Sequence, residues 1–456
     1  MTDQQTDFDL SAKSTRPMIT LIEFIILFGA ILLGIRFGGL ALGFWGGLGL
    51  FILSVVFGVV PTAPPVDVML IVLAVCMCAS CMDAVGGLDI LVRFAARIIR
   101  ANPKYVAVIA PVVSFFLTFF AGTGNAVYAI LPVIYEVSYT AGVRPERAMS
   151  MTAVAGQCGI TACPISAATA AMLGLYSQNG FNDIGLATIL MVTFPACFLG
   201  VLISAVLCMR LGKELKDDKD YQERLAKGLV EAPASLDDRP LPKEAYYSVV
   251  IFFGSILLIV ACGFFPQLRV LPGQESAISM SLVIEGVMLA AGALMCMFCK
   301  PNIAVVTRSP VLQAGVVSLG AVFGIAWMTD SFIAANREFF LEFVGQLAQT
   351  MPMLFAVILA VMSALLASQG ATTRAVMPLG FALGIHPMLL IAMFPAVNCL
   401  FVLPVSGPAL AAVAMDRSGT THIGKFVFNH SFQIPGLIMV TSSVAIAFAI
   451  VKVLGY

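Results

Sequence analysis

Two short stretches carry the residues best suited to chemistry. Ala121-Gly122-Thr123-Gly124-Asn125 and Ser368-Gln369-Gly370-Ala371-Thr372-Thr373 set small, uncharged hydrogen-bonding groups inside runs that are otherwise apolar. The first is flanked by Phe119, Phe120, Val127 and Ile130, so it reads as buried rather than as a water-exposed turn. A helix broken at such depth frees backbone N–H groups and presents the partial positive charge of a helix N-terminus, which suits an anion and above all a carboxylate. Thr123, Asn125, Thr372 and Thr373 add neutral donors and acceptors. A second pair of breaks, Pro164-Ile165-Ser166 and Pro404-Val405-Ser406, falls inside long apolar runs, where proline removes an intrahelical hydrogen bond and kinks or unwinds the helix. Arg374, four residues after Gly370, is the charged residue of its stretch. With no acid beside it there, a substrate carboxylate is its expected partner; the alternative is a side chain that snorkels to the surface.

The elements that must position these residues are membrane helices. Of 456 residues, 60% are hydrophobic and 11% charged, and long apolar runs recur from residue 19 to residue 455. Each is near the roughly twenty residues a helix needs to cross a bilayer. The chain reads as an all-α polytopic membrane protein; a β-barrel would show short alternating strands instead. Spans are expected near 19–36, 39–60, 66–84, 147–178 and 184–209, and again near 246–265, 278–299, 311–328, 386–415 and 432–455. Residues 1–18 form a polar N-terminal extension with neither the apolar core nor the cleavage site of a signal peptide. Between the halves, 210–245 holds eight Lys/Arg and nine Asp/Glu and reads as a solvated cytoplasmic linker.

The Gly-rich interruptions sit in corresponding stretches, 104–138 and 352–383, each after the third span of its half. PKYVAVIAPVVS (103–114) and PMLFAVILAVMS (352–363) share Pro, Ala-Val-Ile, Val and Ser at identical spacing. Gly124 precedes Pro132 by eight residues as Gly370 precedes Pro378, GVRP (142–145) is echoed by GIHP (384–387), and CPISAA (163–168) by LPVSGP (403–408). This is an internal repeat. Five crossings per half is an odd number, so the second half starts on the opposite face and runs inverted. The expected plan is two inverted repeats, 19–209 and 246–456, each with five transmembrane helices and one re-entrant hairpin, at 104–138 and 352–383. With both termini outside, 19 of the 25 Lys/Arg fall on the cytoplasmic side, as the positive-inside rule prefers. Arg93, Arg97 and Arg100, and in the second half Glu338 and Glu342, fall at helical spacing and mark amphipathic arms along the membrane surface.

Two hairpin tips and two unwound helices related by inversion make the discontinuous-helix plan of secondary transporters. The residues that carry it resemble the Dcu family, the anaerobic C4-dicarboxylate carriers of bacteria. The resemblance covers nearly the whole chain from residue 19 and is most specific in NPKYVAVIAPVVSFFLTFFAGTGN (102–125), TACPISAA (161–168), SQGATTRAVMP (368–378) and GTTHIGKFVFNHSFQIPG (419–436). It implies antiport of fumarate, malate or aspartate against succinate across the bacterial inner membrane in anaerobic metabolism. It also implies kinship with a wider ion-transporter group, in which a transport domain carries a dicarboxylate past a scaffold by an elevator movement. Carried over by position, the substrate would meet Thr123, Gly124 and Asn125 at one tip and Gln369, Gly370, Ala371, Thr372 and Thr373 at the other, with Arg374 added on its own isolated charge. Pro164, Ser166, Pro404 and Ser406 would meet it at the unwound segments. The tips differ from the Ser-Asn-Thr of sodium-coupled relatives, which weakens the expectation of sodium coupling. His422, Lys425, Asn429 and His430 would be structural or gating residues at the cytoplasmic face.

Several other classes are disfavoured. Net charge is zero with scattered basic residues, so no nucleic-acid surface is expected. All eleven Cys lie in apolar segments as small hydrophobes, and no metal or other cofactor is implied. An intramembrane enzyme would want paired catalytic groups at one depth, which the sequence lacks. A sodium or proton antiporter of the same architecture is the main alternative, but such proteins place acids near the midplane, and only Asp83 approaches that description. Besides lipid and dicarboxylates, the one partner considered is a second copy. The glycine-rich span FGGLALGFWGGLGL (37–50) allows close helix packing, within the chain or in a homodimer.

Overall fold

A computed structural model of the chain describes residues 3–37, 40–64, 66–122, 124, 126–181, 183–230, 241–274, 277–336, 353–366, 368–403, 406–424 and 429–456. Among these, helices dominate and extended pairing is confined to two isolated bridges, Val270 with Ala277 and Ile423 with His430. The first half runs α1 (Asp3–Phe37), α2 (Ala41–Phe57), α3 (Val66–Ala84), α4 (Gly87–Ala101), α5 (Val106–Ala121), α6 (Ala126–Thr140), α7 (Pro145–Thr161), α8 (Ala167–Gln178) and α9 (Leu186–Cys208). A short α10 (Lys219–Ala226) follows. The second half runs α11 (Lys243–Phe264), α12 (Met280–Phe298), α13 (Ile303–Val306), α14 (Pro310–Ala321), a π-helical segment (Val322–Ala326) and α15 (Trp327–Ala335). It ends with α16 (Met353–Leu366), α17 (Gln369–Ala382), α18 (Pro387–Met393), a 3-10 segment (Phe394–Phe401), α19 (Gly407–Met415) and α20 (Gln433–Val453).

Among the described residues, five helices are individually long and apolar enough to cross a membrane: Pro103–Ala121, α9, α11, α12 and α20. Other expected spans are shorter or broken. The apolar part of α1 is Met18–Gly34, the helix itself continuing back through the polar extension. The run 147–178 becomes α7 and α8, parted at Pro164, and 386–415 becomes α18, the 3-10 segment and α19. Pro395 cannot donate to the helical ladder, and Asn398 Nδ2 donates to the Pro395 carbonyl at 3.1 Å, which favours the tighter winding. Pro103–Ala121, expected as one arm of a re-entrant hairpin, is by its 19 residues long enough to cross alone. Gly122, at φ +68°, ends α5 in a left-handed conformation, its N–H bonded to the Thr118 carbonyl at 2.9 Å.

The segment with Arg93, Arg97 and Arg100 is α4, bent 74° from α3. It packs against α5 and α6, where Arg100 Nη2 meets Glu136 Oε2 at 2.8 Å. The second expected arm, with Glu338 and Glu342, lies outside the described residues. The linker is less solvated than its composition implies. Arg144 bridges Glu146 and Asp218, while Arg147 donates to the carbonyls of Leu211 (2.7 Å) and Gly212 (3.1 Å) and to Glu214 (3.0 Å). Arg224 donates to the Ser418 carbonyl at 3.2 Å. Burial opposes the charge of Asp218, but hydrogen bonds from Arg144 and from the Tyr221 and Asp220 N–H groups outweigh it and hold this carboxyl below its usual range. His422 joins the same region, 3.6 Å from Glu146, whereas Lys425 lies outside the described residues.

The glycine-rich span packs within the chain. In α2, Gly43 and Gly46 press backbone to backbone on Gly320 and Gly324, and a Cβ built on Gly324 would sit 1.9 Å from the Gly43 carbonyl oxygen. No side chain fits at such an approach. Gly324→Ala should therefore destabilise the detergent-solubilised protein by about 1–3 kcal/mol or more, whereas Gly47→Ala, with open space around its Cβ, should leave the melting temperature unchanged. Thermal melting followed by size-exclusion chromatography checks this; equal melting of both variants would refute the close contact.

Candidate functional site

The four sequence breaks converge on one cavity of about 310 Å³. Gly122 and Gly124 line it from the first hairpin and Ser368, Gln369 and Gly370 from the second, with Ile165, Ala167, Gly407 and Pro408 from the broken helices. Tyr128, Gln157 and Leu400 also line it, and a further wall comes from α3, through Val72, Val75, Cys76 and Ala79, and from Val311 and Gly315 of α14. Among the described lining residues none is charged.

The halves cross over to build it. The second hairpin's α17 packs against α8 of the first half, and α19 of the second half packs against α6 of the first hairpin. The contacts are close: a Cβ on Gly370 would lie 3.5 Å from the Ala167 Cβ, and one on Gly407 would lie 1.9 Å from the Tyr128 hydroxyl. Each crossing brings together two helix N-termini, α8 with α17 and α6 with α19. Ser166 caps α8 by accepting from the Thr169 N–H at 3.2 Å, and Ser368 caps α17 by accepting from the Ala371 N–H at 3.3 Å, one backbone donor each. Ser406 begins α19 without a side-chain capping bond.

A buried amide network fixes the second tip. Gln369 Nε2 donates to the Gln157 carbonyl at 2.6 Å and to Asn398 Oδ1 at 2.8 Å, while the Thr161 hydroxyl lies 3.0 Å from both Gln369 Oε1 and Asn398 Oδ1. That single hydroxyl proton serves one acceptor at a time. Gln369 thus joins the tip to the end of α7 and to the 3-10 segment.

The expected residues divide into groups. Gly124, Gln369 and Gly370 line the cavity. Pro164 and Ser166 are buried at the break behind it, and Ser406 borders a small adjoining void with Gln157 and Asn398. Thr372 and Thr373 are fully buried and turn their hydroxyls back to the carbonyls of Ser368 (2.7 Å) and Gln369 (2.8 Å). Arg374 is fully buried, so it does not snorkel, and it is absent from the cavity lining. Thr123, Asn125 and Pro404 lie outside the described residues. Tyr128, Gln157, Thr161 and Asn398 escaped sequence reasoning; each is an uncharged polar group within a long apolar run, the signal that would have marked them. Asp330 of α15 lies two residues beyond the expected limit of its span, 311–328.

Asn398→Leu keeps approximate volume but strips the acceptor shared by Gln369 and Thr161, so it should destabilise the fold by about 1–3 kcal/mol. Denaturation in detergent measures this, and an unchanged transition would mean that the network contributes nothing.

The family described as anaerobic C4-dicarboxylate membrane transporter matches residues 19–455. The anaerobic C4-dicarboxylate transporter DcuB of Escherichia coli O6:H1 is 36% identical over 446 residues, covering 96% of this chain and 100% of that protein. The C4-dicarboxylate transporter DcuA of Wolinella succinogenes is 38% identical over 434 residues, covering 95% and 99%. The solved YdaH transporter of Alcanivorax borkumensis has a TM-score of 0.56 at 16% identity, over 89% of this chain and 88% of that one, a likeness of fold. With broken helices meeting at a neutral cavity and a match that runs from the first apolar helix to the last, the chain belongs to the family of anaerobic C4-dicarboxylate membrane transporters.

Proposed function

We propose that the protein exchanges C4-dicarboxylates such as fumarate, malate, aspartate and succinate across the bacterial inner membrane. The observation that carries this reading is the uncharged cavity bounded by two pairs of helix N-termini. Each helix end favours an anion by roughly 0.3–2 kcal/mol, and two pairs offer one seat to each carboxylate of a dianion. Family membership supports the same substrate class. A sodium or proton antiporter fits less well, because no carboxylate stands among the described lining residues.

The matching order of elements in the two halves and their reciprocal packing support inverted repeats. In this reading α5–α9 and α16–α20 form a transport domain, which slides as an elevator against a scaffold of α1–α3, α11, α12 and α14. Both termini face the periplasm and the linker faces the cytoplasm, the arrangement that the positive-inside rule prefers for the chain's basic residues.

Proteoliposomes test the reaction directly. Labelled succinate should enter vesicles preloaded with fumarate or aspartate far faster than empty ones; equal rates would argue against antiport. Ser406→Ala, by removing a hydroxyl with no capping bond, and Gln369→Ala, by loosening the tip that its amide network fixes, should each raise KM about ten- to a hundredfold, with a lower melting temperature for Gln369→Ala. Wild-type KM in both would move the site elsewhere. Orientation has its own test: Lys227→Cys, exposed in the linker, should resist an impermeant thiol reagent added outside sealed cells, and labelling there would invert the topology.

A further inference from the structure

We infer that the cavity has two unlike ends, and that Tyr128 and Gln157 at one of them receive the hydroxyl or amino group on the second carbon of malate or aspartate. Tyr128 of α6 and Gln157 of α7 both line the cavity and are half-buried. Among the described residues, neither the Tyr128 hydroxyl nor the Gln157 side-chain amide has a hydrogen-bond partner. Tyr128 reaches Gly407 of α19, where a Cβ would meet its hydroxyl at 1.9 Å. Gln157 stands beside Gly124 of the first tip, its Nε2 3.2 Å from the place a Cβ would take. The Gln157 carbonyl accepts from Gln369 Nε2 at 2.6 Å, which holds the backbone and leaves the side-chain amide to the cavity.

At the other end the polar side chains are already engaged within the protein. Ser166 accepts from the Thr169 N–H and donates to the Thr169 hydroxyl at 3.1 Å, and Ser368 accepts from the Ala371 N–H. Gln369 is taken up by the Gln157 carbonyl, Asn398 and Thr161. The end near α6 and α19 therefore holds a hydroxyl and an amide in search of partners. Each of these groups can both donate and accept, so together they suit a substrate hydroxyl, which does both, and an ammonium, which needs acceptors. Succinate and fumarate carry no such substituent and leave the two groups unpaired, a cost by which a site favours the substituted ligand. The inference rests on the cavity being the dicarboxylate site and adds a direction to it: the substituted carbon lies toward α6 and α19.

Exchange of malate, aspartate and succinate by wild type, Tyr128→Phe, Gln157→Met and Gln369→Ala in proteoliposomes decides it. Tyr128→Phe and Gln157→Met keep side-chain size, and each should lower kcat/KM for malate and aspartate about tenfold more than for succinate, the loss of one hydrogen bond. Gln369→Ala, altered at the other end, should lower all three by the same factor. An unchanged malate-to-succinate ratio in both Tyr128→Phe and Gln157→Met would overturn the inference, as would an equal shift of that ratio in Gln369→Ala. A shift in one variant alone keeps that residue and removes the other, and if one of them does not fold the remaining variant decides. Wild type that exchanges succinate but neither malate nor aspartate would defeat the inference and spare the proposed function; wild type that exchanges none of the three would defeat both.

Discussion

A helix that ends inside a bilayer must have its terminal backbone groups met by something other than lipid. This chain faces that demand at several places, and its fold is organised around meeting it in one spot. Ser166 and Ser368 each cap one backbone donor. Gln369, Thr161 and Asn398 close a ring of amide and hydroxyl groups behind the second tip. The N–H groups that remain at the helix starts border a shared cavity rather than hydrocarbon. Unmet donors that would be a liability elsewhere become the proposed anion site.

The neutrality of that cavity has a physical logic. A lysine or arginine facing it would bind a dicarboxylate strongly, but it would also stand as a bare buried charge whenever the site was empty. Helix dipoles carry no such cost, because their partial charges belong to a backbone already hydrogen-bonded along its length. They favour an anion modestly and leave it free to depart.

Much of this was legible in the sequence because a broken helix leaves a local mark. Gly122 and Gly124, Ser368 before Gly370, and Pro164-Ile165-Ser166 mark interruptions whatever lies around them, whereas Pro378 sits within a helix that continues through it. What the sequence could not report is which distant surface each break meets. Gly43 and Gly46 showed that a close contact exists, but not that Gly320 and Gly324 complete it. The linker's charges implied solvation, whereas Arg144 and Arg147 draw part of it onto the end of α7. Thr372 and Thr373 were promising donors by type, yet a threonine in a helix can satisfy its hydroxyl on the carbonyl one turn back. Both do so. Asp330 was missed because the span was ended by its apolar run, although a helix continues for as long as its neighbours bury it.

The crosswise packing has a consequence for what the site can hold. α6 and α19 come from different halves, as do α8 and α17, so neither half contains a complete pair of facing helix starts. Each pair depends on the same kind of contact, a helix from one half against a hairpin from the other, and the two contacts are tight at Gly370 and Gly407. An anion with one charge would engage a single pair and leave the second facing nothing. In the proposed site, an anion with a charge at each end would engage both and so join the halves at two points. The proposed dicarboxylate would thus offer one charge to each pair, which a monoanion could not.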